Sequence, residues 1–287
     1  MKNNITDKQL LNLAFTNPQS FRMQVDKLIN ELLSDIDKRK ILKKSLSLLD
    51  ITTLHDDDYK NSLVNIVNQS VYNVDGEDGV VAGVCIYSNL LPVLNEFNLD
   101  KRVSKVVVSG GFPTAQLSLV GKLNDVGFAI ENGADEVDVP INRGLFFENR
   151  EELKIELTAI KSIVKQNEKA KLKVILETSE LKNYGNVYSS SMFAMRCGAD
   201  FIKTSTGKVA LGADVYSSCV MMLAIKDFLE ENKDRVVGFK ASGGIRECAQ
   251  VLQYYALMQY FFNEEYIDKN TFRIGCSNLR NEIINNI

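Results

Sequence analysis

The chain has 287 residues, 45% of them hydrophobic and 25% charged, with 34 Lys and Arg against 37 Asp and Glu. A formal net charge of −3 supplies no broad cationic surface of the kind that grips phosphate backbones, so nucleic acid is not an expected partner. Five scattered cysteines without a CxxC pair, together with a single histidine, exclude a disulfide framework and a multi-histidine zinc site.

The N-terminal MKNNITDKQLLNLAF lacks the apolar core and cleavage site of a leader, and no later stretch reaches the roughly 18 apolar residues of a membrane span. A cytoplasmic protein without a membrane partner is expected. Within residues 1–45, Phe21, Val25, Leu28, Leu32 and Ile36 recur at helical spacing, with Asp26, Lys27, Glu31, Asp35 and Lys38 on other faces. The segment reads as an N-terminal helical extension whose apolar stripe serves either docking on the main domain or contact with a second copy.

Residues 46–287 change texture to short runs rich in Val, Ile, Phe and Thr, separated by helix-like stretches, the signature of a parallel α/β sheet. The runs are Leu48 to Leu54, Val81 to Tyr87, Lys105 to Ser109, Glu136 to Ile141, Lys173 to Thr178, Phe201 to Thr206, Val236 to Ser242 and Phe272 to Ser277. Eight runs with crossover-length connections match a (β/α)₈ TIM barrel, and an open doubly wound sheet is the alternative. Between the first two runs, VYNVDGEDGV reads as an irregular loop. Helices are expected over Leu117 to Asn132, ending at Asn-Gly, over Ala213 to Glu230 and over Glu247 to Phe262.

Polar residues cluster where strands end, the active-site face of a barrel. Asp138, Glu177, Thr178, Lys203 and Lys240 all fall there. Alternation along the sixth run puts Phe201, Lys203 and Ser205 on one face; if that face points inward, Lys203 enters the core. Burial and a second cation, Lys240 on the next strand, both favour a neutral amine, which can attack a carbonyl to form a Schiff base without metal or cofactor. Asp138 would hold a water or hydroxyl for proton transfer. The structural alternative is an ion-pair network that neutralises Asp138 and Glu177.

In KASGGIR, Gly243 and Gly244 can turn backbone N–H groups toward an anion beside a helix start, and RIGCSN places Gly275 and Ser277 in the matching loop after the eighth run. Loops after strands seven and eight are where such barrels often bind phosphate. GGFPT, Gly110 to Thr114, reads as a turn, His55 as a surface histidine and Cys85 as a small buried hydrophobe. Neither GxxxxGK[ST] nor a convincing GxGxxG is present, which argues against nucleotide hydrolysis and dinucleotide redox chemistry.

The motifs LDITTL (Leu49 to Leu54), VCIY (Val84 to Tyr87), GFPTAQ (Gly111 to Gln116), NGADEVDVPINRGLF (Asn132 to Phe146), KVILETSEL (Lys173 to Leu181), GADFIKTSTGK (Gly198 to Lys208), GFKASGGIR (Gly238 to Arg246) and FRIGCSNL (Phe272 to Leu279) together resemble the deoxyribose-phosphate aldolase family, in its animal-type branch. The resemblance implies a barrel lyase that reversibly cleaves 2-deoxy-D-ribose 5-phosphate into acetaldehyde and D-glyceraldehyde 3-phosphate, in deoxyribonucleoside catabolism. By the same resemblance, Lys203 is the Schiff-base lysine, Lys240 tunes it and Asp138 moves protons. It further assigns Gly207, Lys208, Gly243, Gly244 and Ser277 to the phosphate and Asp50 and Thr52 to the sugar pocket. A homo-oligomer, a dimer, is expected on the same basis. Ala241-Ser242, Cys276, Asn278 and Ser88 depart from the family pattern. Another Schiff-base aldolase, or a non-catalytic barrel that binds a sugar phosphate, are the competing functions.

Overall fold

The computed structural model describes residues 5–287. The extension forms three helices rather than one: α1 (Asp7–Thr16), α2 (Pro18–Leu33) and α3 (Lys38–Leu46). Thr6 and Gln9 make a reciprocal capping box on α1, Asn17 caps α2 with Pro18 in its first turn, and Asp37 caps α3 by accepting from the Lys40 N–H. Helix α2 ends at Leu33 with Ser34 as its C-cap, so Ile36 falls in the connection. Residues 1–4 of the expected extension lie outside the described residues.

The barrel follows, with each element given in chain order. It begins with β1 (Leu49–Thr52), α4 (Lys60–Gln69), β2 (Val71–Val74), β3 (Glu77–Val80), β4 (Gly83–Tyr87) and α5 (Leu91–Leu94). It continues with β5 (Ser104–Val108), α6 (Leu119–Glu131), β6 (Glu136–Pro140), α7 (Arg143–Glu148), α8 (Arg150–Val164), β7 (Lys171–Ile175) and α9 (Tyr184–Arg196). The last elements are β8 (Phe201–Lys203), α10 (Val215–Glu231), β9 (Gly238–Ser242), α11 (Cys248–Phe261), β10 (Phe272–Cys276) and α12 (Leu279–Asn285).

Eight parallel strands close in the order β1-β10-β9-β8-β7-β6-β5-β4, with β1 bonded to both β10 and β4. Closure disposes of the open-sheet alternative. Strands β4 to β10 are buried on both faces, because one face meets the helices and the other meets the barrel interior, which is why they read as near-continuous apolar runs.

The expected loop between β1 and β4 is instead a helix and a two-stranded antiparallel hairpin, β2 with β3. Asp75 and Gly76 both take positive φ, 55° and 81°, the two-residue turn whose twist suits a hairpin. The Asp-Gly pair carried that signal; the run of Asn, Asp, Glu and Gly around it obscured the short strands.

Helices α1 to α3 pack on α9 to α12 along one side of the barrel. Phe21, Val25 and Leu28 of α2 are buried there, so the apolar stripe is spent within the chain. Phe21 meets the Tyr184 ring edge-on at 4.9 Å, the Arg22 Nε donates to the Tyr184 hydroxyl at 2.8 Å, and the Tyr216 hydroxyl donates to Asp26 at 2.9 Å. Among the described residues no helix is long and apolar enough to cross a membrane.

Candidate active site

The barrel interior is divided by chemistry. On β4 and β5, Cys85, Val106 and Val108 form an apolar cluster with Tyr87, Leu54 and Phe112. On the other six strands inward positions are charged: Asp50 on β1, Glu136 and Asp138 on β6, Lys173 on β7, Lys203 on β8, Lys240 on β9 and Arg273 on β10, all buried. Period-two alternation puts Phe201 two residues below Lys203, on the same face. Its ring lies beneath the cations, 5.8 Å from Lys173 Nζ and 5.9 Å from the Arg273 guanidinium. Gly238, opposite Phe201 in register, has no side chain because a Cβ there would fall 2.1 Å from that ring.

Asp138 is the hub. Its Oδ2 accepts from Lys203 Nζ and from Lys240 Nζ, each at 2.8 Å, and its Oδ1 accepts from Lys173 Nζ at 2.9 Å. Burial alone would raise its pKa, but Lys173, Lys203 and Lys240 together hold the carboxyl well below the usual range. Lys203 moves down from 10.5: burial disfavours its ammonium and Lys240 repels it, and Asp138 only partly offsets both. Lys240 moves the other way, since Asp138 and Asp50 together outweigh its burial. Two adjacent lysines thus separate into one amine disposed to lose its proton and one that keeps it.

Asp50 does not line a sugar pocket, contrary to the expectation. It is fully buried beneath the floor, where it pairs with Lys240 Nζ at 2.5 Å and with Arg273. Two buried cations take the carboxylate below ligand reach, and they lower its pKa despite burial.

Above Lys203 opens a cavity of about 740 Å³. Thr52, Gly207, Lys208, Gly243, Gly244 and Ser277 all line it, and Lys203 sits in its floor. Gly207, Gly243 and Gly244 have φ of 80°, 90° and 77°, the left-handed region in which successive N–H groups converge. The β8 and β9 loops are fastened together: Ser242 Oγ donates to the Ser205 carbonyl at 2.6 Å, and the Ala213 N–H donates to the Gly243 carbonyl at 2.9 Å. Lys208 Nζ donates to the Leu54 carbonyl at 2.6 Å, tying the β8 loop to the β1 loop.

Several details correct the sequence reading. Helix α11 begins only at Cys248 and carries its own acidic cap, Glu247, so its start does not stand free behind the Gly-Gly turn. Glu177, at φ 57°, is spent on the Thr206 hydroxyl and N–H instead of on the lysines. His55 is exposed as expected and also lines the cavity, as does Arg246. GGFPT stays out of the cavity wall: the Gly110 N–H donates to Asp125 and Phe112 joins the apolar cluster. Cys85 is a buried thiol, pushed up to about 11 by burial.

Sequence reasoning missed Lys173, Glu136 and Arg273. A signal was available, since each is a charged residue within a barrel strand.

Comparison with known proteins bears on the family and the fold. The family described as DeoC/LacD family aldolase matches residues 49–256. The chain is 34% identical to the deoxyribose-phosphate aldolase of Homo sapiens over 256 residues, 84% of this chain and 79% of that protein. It is 35% identical to that of Bos taurus over 256 residues, with the same coverage. Among solved structures, the unique tetrameric deoxyribose phosphate aldolase of Aeropyrum pernix superposes with a TM-score of 0.68 at 22% identity, covering 90% of this chain and 95% of that one. QR15, an aldolase, gives 0.65 at 23% identity, over 84% of this chain and 95% of its own. With the family match running from β1 into α11, the chain belongs to the DeoC/LacD aldolase family.

Proposed function

We propose that this protein is a class I aldolase, a carbon–carbon lyase, that reversibly cleaves 2-deoxy-D-ribose 5-phosphate into acetaldehyde and D-glyceraldehyde 3-phosphate in deoxyribonucleoside catabolism. One observation carries the reading: a buried lysine with a lowered pKa, Lys203, stands in the floor of a cavity whose rim holds three positive-φ glycines and a lysine. The relatives supply the substrate, since those proteins are named deoxyribose-phosphate aldolases.

The neutral Lys203 amine adds to the aldehyde carbon of the open-chain sugar, and loss of water leaves an iminium. Removal of the proton from the C3 hydroxyl sends the C2–C3 bonding pair into the iminium, which releases D-glyceraldehyde 3-phosphate and leaves an enamine. Protonation of the enamine at C2 and addition of water then release acetaldehyde and restore the amine. Asp138 with a bound water shuttles these protons, and Lys240, held cationic, is the donor beside it. Gly207, Lys208, Gly243, Gly244 and Ser277 hold the phosphate, and Thr52 faces the sugar. Asp50 acts only through Lys240. The amine chemistry calls for neither metal nor cofactor.

Residues 1–45 serve as a helical extension and 46–287 as the catalytic barrel. We assign the protein to the cytoplasm as a homodimer. With the α2 stripe buried, exposed Val120 and Phe128 on α6 and Ile155 on the adjacent α8 offer the apolar face for such a contact.

The test is a turnover assay on the folded Lys203→Ala variant. Complete loss of acetaldehyde release is expected, and undiminished turnover would sink the assignment. Donor preference for acetaldehyde over dihydroxyacetone separates this activity from other Schiff-base aldolases.

A further inference from the structure

Among the described residues, six of the seven charges inside the barrel form a closed ring of alternating sign. Asp50 pairs with Arg273, Arg273 with Glu136 at 2.5 Å, Glu136 with Lys173, Lys173 with Asp138 at 2.9 Å, Asp138 with Lys240 at 2.8 Å, and Lys240 with Asp50 at 2.5 Å. None is more than 4% exposed. Three carboxylates meet three cations, so the ring is neutral by itself. Lys203 is the seventh charge. Among the described residues it hangs on the ring through Asp138 alone, at 2.8 Å, and has no carboxylate of its own.

We propose that Arg273 and Lys173 are positioning residues that favour a neutral Lys203 by occupying the carboxylates of the ring, and that Glu136, the anion they share, sets the balance from the opposite side. Resting on the Schiff-base reading above, the proposal adds what makes Lys203, rather than Lys173 or Lys240, the free amine. A buried cluster with a surplus cation is costly, and the cheapest relief is loss of one proton. Arg273 does not deprotonate in a protein. Lys173 and Lys240 each bridge two carboxylates, so loss of either charge would leave two anions short of a partner. Only Lys203 can become neutral without opening the ring.

The other groups facing Lys203 do not alter this count. Strand β4 presents the Cys85 thiol, which stays protonated at neutral pH, and β5 presents only Val106 and Val108. Glu177 after β7 is engaged by Thr206, and Lys208 after β8 by the Leu54 carbonyl. The two other ring members nearest Lys203, Lys173 and Lys240, meet it across Asp138.

The ring predicts shifts of opposite sign from two substitutions below the substrate. Arg273→Gln leaves three carboxylates for three lysines, so Lys203 gains a partner and holds its proton to higher pH. Glu136→Gln leaves two carboxylates for four cations, so Lys203 loses its proton at lower pH. The readout is the rate of cyanoborohydride trapping of 2-deoxyribose 5-phosphate on Lys203 across pH, followed by intact mass, with fold monitored by circular dichroism.

The acid limb should move up by about one pH unit in Arg273→Gln and down by about one in Glu136→Gln, as expected for gain or loss of one nearby charge. Arg273→Lys, which restores the charge, should bring the limb back toward its original position. If Arg273→Gln does not fold, Glu136→Gln and Arg273→Lys decide. Shifts of the same sign, or an unmoved limb in folded variants that still trap, would overturn the ring. A wild-type protein that traps nothing at any pH would instead overturn the Schiff-base reading, and the ring's role with it.

Discussion

Lys203 and Lys240 donate to the same oxygen of Asp138, each at 2.8 Å, yet only Lys240 has a second carboxylate, Asp50, at 2.5 Å. The difference in anion count separates two otherwise similar side chains on neighbouring strands.

A consequence for stability follows from that asymmetry. Replacing Lys203 by Met fills the space with an apolar chain and leaves every pair of the six-membered ring in place, so no loss of stability is expected. Replacing Lys240 by Met strands Asp50 and Asp138, and removal of one partner from a buried pair costs about 3–5 kcal/mol. Thermal denaturation should place Lys203→Met at or above the parent and Lys240→Met well below it. Equal destabilisation of both would show that Lys203 is an ordinary member of the network.

The pH dependence has a fixed sign. Lys203 in the folded chain titrates below its ordinary 10.5, so between those two values the unfolded chain binds more protons than the folded one. The contribution of Lys203 to stability therefore grows as pH rises through that window. Reaction rate with saturating aldehyde should rise on an acid limb and level off before pH 10.5. A limb still rising there would mean an unshifted lysine.

Gly212 and Gly243 test the anion cradle. A Cβ on Gly212 would fall 2.2 Å from the Gly243 carbonyl oxygen, so Gly212→Ala must push the β9 loop away. Displacing donors from a charged ligand is worth about 1.5–3 kcal/mol per hydrogen bond, roughly ten- to a hundredfold in affinity. KM for 2-deoxyribose 5-phosphate should rise by about that factor, while the slower cleavage of unphosphorylated 2-deoxyribose stays within about twofold. Parallel losses for both sugars would argue that these loops do not hold the phosphate.

The extension makes a separable contribution. Phe21 is fully buried against Tyr184 on α9, and truncation of a buried Phe to Ala costs about 3–5 kcal/mol. Phe21→Ala should lower the denaturation midpoint and leave KM unchanged at temperatures where the protein is folded. A changed KM would connect the extension to the site.

The eight barrel strands were legible because burial on both faces demands apolar runs, and a lysine inside such a run is conspicuous, as Lys203 and Lys240 are. The lower half of the charged ring was harder to see. Glu136, Arg273 and Lys173 stand at the first, second and third positions of their strands, where a charged side chain ordinarily reaches water at the barrel's end. Only closure of β1 onto β10 and β4 brings all of them to one point. Asp50 reads as a pocket residue from sequence because its motif suggests substrate contact. Its partner Arg273 lies 223 residues away in the chain, beyond any spacing argument. The β2–β3 hairpin failed for a local reason: its strands fully bury only one residue, Val74, and lack the apolar alternation by which a strand is recognised.

The central claim is that Lys203 forms the covalent intermediate. Borohydride reduction in the presence of 2-deoxyribose 5-phosphate, followed by intact-mass analysis and peptide mapping, tests it directly, because reduction makes the iminium permanent. The account predicts a single adduct on the peptide that carries Lys203, absent from Lys203→Ala. An unmodified protein beside a reactive control aldolase, or an adduct on Lys240 instead, would contradict it.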